Sequence, residues 1–172
     1  MSISIKTASA AVAIIRSLVP SESFLVLRRV IHPEDPWSGH FSFPGGRKDA
    51  IDRDLLATCL RETREETGIL LHTDQLQQRL PTETAGQRSQ NHVLVEPFLF
   101  TIEDRPNLTL CPEEIQSACW LQVEKFQNPA LHRSVEMLPG RLFPAYPLED
   151  YYLWGFTYRL LLTILQMDKG LR

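Results

Sequence analysis

Apolar residues in the first third of the chain fall in short runs with strand character. Ala10–Leu18 and Phe24–Val30 are rich in β-branched and aromatic residues, are joined by the turn Pro20-Ser-Glu-Ser, and read as successive strands. Prolines make His32–Gly39 a loop, and Phe41 and Phe43 then alternate in a short strand that delivers the turn Pro44-Gly45-Gly46. The period becomes helical over Arg53–Thr67, where Leu56, Cys59, Leu60, Thr63 and Thr67 form a core-facing stripe at i, i+3, i+4. Asp52 is placed to cap this helix, Asp54 suits the positive end of its dipole, and Gly68 supplies a left-handed stop. Strand character returns at Leu76–Leu80, His92–Ile102 and Ile115–Val123, with Glu103–Pro112 a loop. A final amphipathic helix is expected from Tyr151 to about Lys169. Strands and helices mixed in this way predict an α/β domain, a mixed sheet between helical layers.

The polar face of the Arg53–Thr67 helix carries the chemistry. At about 100° per residue, Glu62, Glu65 and Glu66 share an arc of roughly 100°. Glu62 and Glu66 are a like-charge i,i+4 pair, and the whole cluster sits at the negative end of the dipole. Both effects oppose the helix, and a bound cation offsets both. Hard divalent ions such as Mg²⁺ take carboxylate oxygens and keep several waters, which suits the cluster. A glutamate-rich helix face is most often solvated surface, and Phe43-Pro-Gly-Gly46 alone is most often a turn. Their joint occurrence decides for a metal site.

The segment from Gly46 to Ile69 resembles the signature of the Nudix hydrolases. That box has a glycine, an early Glu, and then Arg-Glu-apolar-x-Glu-Glu-x-Gly-apolar. Gly46, Arg61, Glu62, Glu65, Glu66, Gly68 and Ile69 fit it. The loop after Gly46 is one residue longer than the basic pattern, Asp52 stands in place of the early Glu, and Thr63 replaces an apolar residue. The longer, Asp-containing loop resembles the coenzyme A diphosphatase branch. The likeness extends from Leu25 to the final helix.

The resemblance implies the Nudix fold, a mixed β-sheet sandwiched between α-helices. It also implies Mg²⁺- or Mn²⁺-dependent hydrolysis of a nucleoside diphosphate linked to another group, such as a coenzyme A-like, ADP-ribose-like or dinucleotide compound. The implied metal ligands are Glu65 and Glu66, with Glu62 as a further ligand or base and the Gly46 carbonyl as another ligand. Arg61 is expected to orient a box carboxylate, reaching Glu65 at i,i+4. An acid outside the box is usually added, and Glu114 in Cys111-Pro-Glu-Glu-Ile115 is preferred to Glu113. Arg28 and Arg47 lie near the turn and are candidates to meet phosphate. Trp37 and Tyr146 are candidates to stack on a base, and His40 and His92 lie near strand ends. The alternative is a catalytically silent Nudix-fold module for a ligand or partner, against which the intact glutamates count.

The coenzyme A branch has a further pattern before Phe-Pro-Gly-Gly, with two arginines and a glycine. Gly39 occupies the glycine position, Val30 replaces the first arginine with Arg29 one residue early, and Asp35 replaces the second. Asp35 therefore introduces a negative charge where a cation is expected, which predicts poor use of coenzyme A. Trp154-Gly-Phe-Thr-Tyr-Arg159 resembles the terminal helix of that branch.

Composition narrows the class. The chain has 172 residues, 43% hydrophobic and 23% charged, enough for one domain over 1–172 with a real core. A net charge of −3 gives no electrostatic basis for general nucleic-acid binding. Three cysteines without a CxxC pair fit reduced thiols in a cytoplasmic protein, with Cys59 a small core hydrophobe. The run Ala8–Ile15 has one preceding Lys and Arg16 directly after it, so it reads as a buried strand and not a signal sequence. Tyr151–Met167 is interrupted by Arg159 and too short to span a bilayer. A homodimer is left open.

Overall fold

The computed structural model describes residues 7–35, 37–86 and 92–166. Its centre is an eight-stranded mixed sheet. Strands β1 (Ala10–Val19) and β2 (Ser23–Arg29) form an antiparallel hairpin. β3 (Phe41–Ser42) extends β2, and β4 (Gly45–Arg47) pairs with the start of β1, so that Ala11 faces Gly46. Helix α1 (Leu55–Thr67) follows. β5 (Leu76–Arg79) and β6 (Glu83–Ala85) both pair with β7 (Val93–Asp104), which runs parallel to β1. β8 (Ile115–Gln122) closes against β2.

Period-2 alternation divides the core into two layers. Ala11, Ala13, Ile15, Leu25, Leu27, Phe98 and Phe100 face α1, where Leu56 and Cys59 meet them. Ile14, Phe24 and Val26 point to the other face, against Phe126, Leu153, Tyr158 and Leu161. Cys59 is fully buried, and burial pushes its thiol well above the usual range. All three cysteines are free.

That second layer is where the structure departs from expectation. It holds the short helix α2 (Val123–Phe126), then a separate antiparallel sheet of β9 (Arg133–Leu138), β10 (Arg141–Leu148) and β11 (Tyr151–Trp154), and last α3 (Gly155–Ile164). Tyr151–Trp154, expected as the first turn of the terminal helix, pairs with β10 as a strand. The helix begins where Gly155 adopts a φ of 68°, a left-handed conformation that breaks the strand. The expected continuation to Lys169 lies partly outside the described residues. The sheet is thus sandwiched between α1 on one side and α2, α3 and the small sheet on the other.

The N-terminus of α1 is also corrected. Asp54, not Asp52, is its cap, accepting from the Ala57 N–H at 2.8 Å. Gly68 ends the helix in the left-handed conformation at φ 74° and donates to the Arg64 carbonyl. No helix among the described residues is long and apolar enough to cross a membrane.

Candidate active site

The Gly-Gly turn is held by two close approaches. Gly45 has φ 153°, and a Cβ there would fall 2.2 Å from the Ala11 carbonyl oxygen, so only glycine lets β4 lie against β1. The Gly45 N–H donates to Glu66 Oε2 at 2.8 Å. A Cβ on Gly46 would meet the Glu62 carboxylate at 2.5 Å. Strand β4 and the last two turns of α1 are therefore in direct contact, main chain against carboxylate.

Glu66 is 2% exposed. Burial pushes its carboxyl up to about 8. The Gly45 N–H opposes that rise, the charges of Glu62 and Glu114 add to it, and Arg29 reduces it. Burial likewise raises Glu62, with Arg61 lowering it and Glu65 and Glu114 raising it. Glu114 is the acid outside the helix that faces both groups. The main chain fixes its position, since its carbonyl accepts from the Val30 N–H and its N–H donates to Cys111. Glu113 instead accepts from the Cys111 thiol.

Arg61 organises the outer side. Its Nε and Nη2 donate to the two oxygens of Asp52, both at 2.9 Å, in a bidentate pair. Its Nη1 reaches Glu62 at 2.8 Å and Glu65 at 2.9 Å, and Nη2 reaches the Arg47 carbonyl. Asp52, expected as a cap, is buried and also accepts from Thr58 Oγ1 and the Asp49 N–H. The Arg61 guanidinium holds the Asp52 carboxyl well below the usual carboxylate range. Glu65 lies on the far side of Arg61, its side chain 55% exposed.

A cavity of about 750 Å³ opens beside this cluster. At one end it is lined by Gly46, Glu62 and Glu114, with Arg29 and Arg47 on its wall. Its other end is aromatic, with Trp37, His40, Phe143, Trp154 and Phe156. Sequence reasoning did not assign Phe143, because the small sheet that carries it was not expected, or Phe156, which lies in the first turn of α3.

The structure sorts the remaining candidates. Trp37 lines the cavity and packs against Ala10, Val93 and Val95. His40 lies edge-on to Trp154, with ring centres 5.2 Å apart. Tyr146 is buried among Phe126 and His132 and is core, not a stacking platform. His92 is exposed and does not line the cavity. Arg28 is corrected as well: it is 7% exposed, donates to Asp150 and the Gly39 carbonyl, and lies against the rings of Phe41 and Tyr151. It packs between the two sheets and is not among the residues that line the cavity.

The NUDIX domain family model matches residues 7–139. The chain belongs to the Nudix family. An uncharacterized protein of Schizosaccharomyces pombe, C14C4.10c, is 31% identical over 130 residues, covering 72% of this chain and 39% of the relative. The mouse peroxisomal coenzyme A diphosphatase NUDT7 is 26% identical over 131 residues, covering 71% and 54%. The chain thus spans about half or less of the length of these relatives. Among solved structures, a MutT/nudix family protein from Enterococcus faecalis superposes with a TM-score of 0.66 at 16% identity, covering 94% of this chain and 62% of that one. A Caenorhabditis elegans Ap4A hydrolase binary complex gives 0.53 at 23% identity, covering 69% and 82%. These likenesses establish the Nudix fold. The matched region ends at residue 139, so β10, β11 and α3, which build much of the aromatic end of the cavity, lie beyond it.

The donor set fits a hard divalent cation. It consists of the carboxylates of Glu62, Glu66 and Glu114 with main-chain oxygens of the turn, all hard donors. The protein's own groups leave Glu62 and Glu114 facing the buried Glu66 carboxylate, and a cation is the partner that would favour their ionised forms. Among the described residues, no three acid, histidine or cysteine side chains already converge on one point. Arg61 draws Glu62 and Glu65 toward itself, and Gly45 takes one oxygen of Glu66.

Proposed function

We propose that the chain is a metal-dependent pyrophosphohydrolase that cleaves the diphosphate linkage of a nucleoside diphosphate derivative. The observation that carries this is the buried Glu66 carboxylate, held by the Gly45 N–H and faced by Glu62 and Glu114, which line a cavity with Arg29 and Arg47 on its wall. The similarity to NUDT7, a coenzyme A diphosphatase, and to an Ap4A hydrolase fold supports the same class of linkage.

Glu66, Glu62, Glu114 and the Gly46 carbonyl would hold Mg²⁺ or Mn²⁺, with Glu65 joining once it turns from Arg61. Such an ion supplies neutralisation of the diphosphate and a more acidic water. The residues of the chain do the rest. Glu62, beside Gly46 on the cavity wall, would accept a proton from an attacking water. Arg61 fixes the orientations of Glu62 and Glu65 while Asp52 holds its own guanidinium still. The aromatic part of the cavity would receive the group joined to the diphosphate, with Trp37 as one wall, and Arg47, also on the lining, would meet phosphate oxygens.

The test is a panel of coenzyme A, ADP-ribose, NADH, dinucleoside polyphosphates and nucleoside triphosphates with Mg²⁺ or Mn²⁺, products identified by mass. Cleavage within a diphosphate, abolished by chelation, is expected. Absence of product from every compound, or full activity after exhaustive chelation, overturns the proposal.

A further inference from the structure

The reversed charge at Asp35 does not stand alone in the fold. Both of its oxygens are engaged by the protein. Oδ1 accepts from the Trp37 N–H at 3.0 Å, and Oδ2 accepts from Arg29 Nε at 3.0 Å and Nη2 at 2.8 Å. Its main chain is pinned in the same turn, accepting from Ser38 and donating to His32. Asp35 is thus a fixed anion compensated by Arg29 and not an isolated negative charge on the cavity wall.

The consequence falls on Arg29. Along β2, Leu25 and Leu27 face α1 while Phe24 and Val26 face the other layer. Arg28 follows the second set and is buried under Tyr151, whereas Arg29 follows the first, toward Glu66. Here the β2–β8 register skips Gln116, an irregularity that sets Arg29 opposite Ile115, next to Glu114. Arg29 lines the cavity, and its charge reaches both Glu66 and His40. Asp35 takes its Nε and Nη2; no hydrogen bond is made by its Nη1 among the described residues. A guanidinium gripped along one edge presents the other edge in a fixed plane, the geometry that binds a phosphate oxygen at little ordering cost.

We infer that Arg29 is a pre-oriented phosphate ligand for the diphosphate substrate and that Asp35 is its positioning residue. The inference rests on the proposed diphosphate chemistry. It replaces a repulsive Asp35 with an Arg29–Asp35 unit that delivers a cation about one residue away from where the coenzyme A pattern would set it. Substrate phosphate, held by Arg29, lies between the carboxylates of Glu66 and Glu114 and the aromatic end.

Four variants decide it: Arg29→Gln, Arg29→Lys, Asp35→Asn and the double Arg29→Gln/Asp35→Asn. Each is assayed for kcat and KM on the best substrate of the panel, for melting temperature, and for binding of methylenediphosphonate with Mg²⁺ by calorimetry. Arg29→Gln is expected to raise KM and weaken diphosphonate binding about tenfold, with kcat changed far less. Arg29→Lys should keep the ion pair and the melting temperature yet lose most of that affinity, because an ammonium has no second edge. Asp35→Asn should raise KM less than Arg29→Gln, and the double variant should match Arg29→Gln alone. Full rescue of KM by lysine, additive effects of the two positions, or unchanged diphosphonate binding in Arg29→Gln would overturn the inference. If no compound of the panel is cleaved, the hydrolase reading fails. The diphosphonate titration still decides Arg29, and failure of the wild type to bind it counts against this assignment too.

Discussion

The carboxylate of Glu62 occupies the space that a side chain at Gly46 would need: a Cβ there would lie 2.5 Å from Cδ and 2.6 Å from Oε1. The missing Cβ therefore serves Glu62 and not the backbone, since Gly46 has no left-handed φ, unlike Gly45. The two glycines of the turn are required for different reasons, one by the fold and one by the site.

Gly46→Ala is expected to fold with nearly the wild-type melting temperature, because the obstructing atoms are the tip of a movable side chain. Displacing Glu62 by about 1 Å should cut turnover by about 10²-fold. Gly45→Ala, which drives a Cβ into the Ala11 carbonyl and Val12, should instead fail to give soluble folded protein. Paired thermal melts and initial rates separate the two, and a Gly46→Ala enzyme of normal activity would show that Glu62 need not stand where it does.

Divalent ions should stabilise the protein through Glu66. At 100 times the dissociation constant, a single ion adds about 2.7 kcal/mol, or an upward shift of roughly 5–10 °C in melting temperature for a chain of this size. Glu66→Gln keeps the shape and the bond from the Gly45 N–H while removing the charge, so the shift with Mg²⁺ or Mn²⁺ should vanish and turnover fall by about 10²-fold. An unchanged metal-induced shift in this variant would exclude Glu66 as a ligand.

Much of this could be read from the chain, and the failures have physical causes. Helix α1 was legible because its stripe, its glutamates and Gly68 are all local signals, and the β1–β2 and β7 strands because their buried faces demand apolar runs. The small sheet was not. β9 is largely exposed, and only Val135 and Met137 alternate on its inner face, too short a pattern to mark a strand, while Tyr151–Trp154 runs without a polar break into α3. Within the site, the carboxylates on one helix face follow from the helical period. The Arg61–Asp52 grip does not, because it spans nine positions across a loop. Arg28 and Arg29 look equivalent in sequence. Only the two-layer packing tells that one is covered and the other lines the cavity.

Asp52 should make stability acid-sensitive. Its carboxyl titrates well below the usual range in the folded protein, through the Arg61 pair first and the bonds from Asp49 and Thr58 as well. A depressed carboxyl binds fewer protons folded than unfolded, so its contribution is complete above about pH 5 and declines as pH falls below about 4. The gap in unfolding free energy between wild type and Asp52→Asn should therefore be constant from neutral pH to about 5 and narrow below that. Denaturant melts across this range check the sign, and a gap that widens on acidification would contradict it. The same variant frees Arg61 to compete more strongly for Glu62 and Glu65, so turnover should fall as well.

Arg28 gives the opposite kind of prediction, a change in stability without a matching change in chemistry. Its guanidinium joins the central sheet to the small one, with Phe41 at 5.5 Å and Tyr151 at 5.3 Å from its carbon, the Gly39 carbonyl at 3.3 Å from Nε, and Asp150 on Nη1. Asp150 is 76% exposed, so the ion pair itself contributes little. The buried stem, the ring contacts and the bond to Gly39 contribute most. Arg28→Met preserves the stem and removes the polar head, leaving one carbonyl to seek water. The expected loss is about 1–3 kcal/mol in unfolding free energy. At a temperature well below the transition, KM for the diphosphate substrate should stay within about twofold of wild type, because Arg28 is buried and does not line the cavity. If instead Arg28→Met raised KM tenfold while melting normally, the residue would belong with Arg29 among the phosphate ligands, and the division of labour between the two arginines would be wrong.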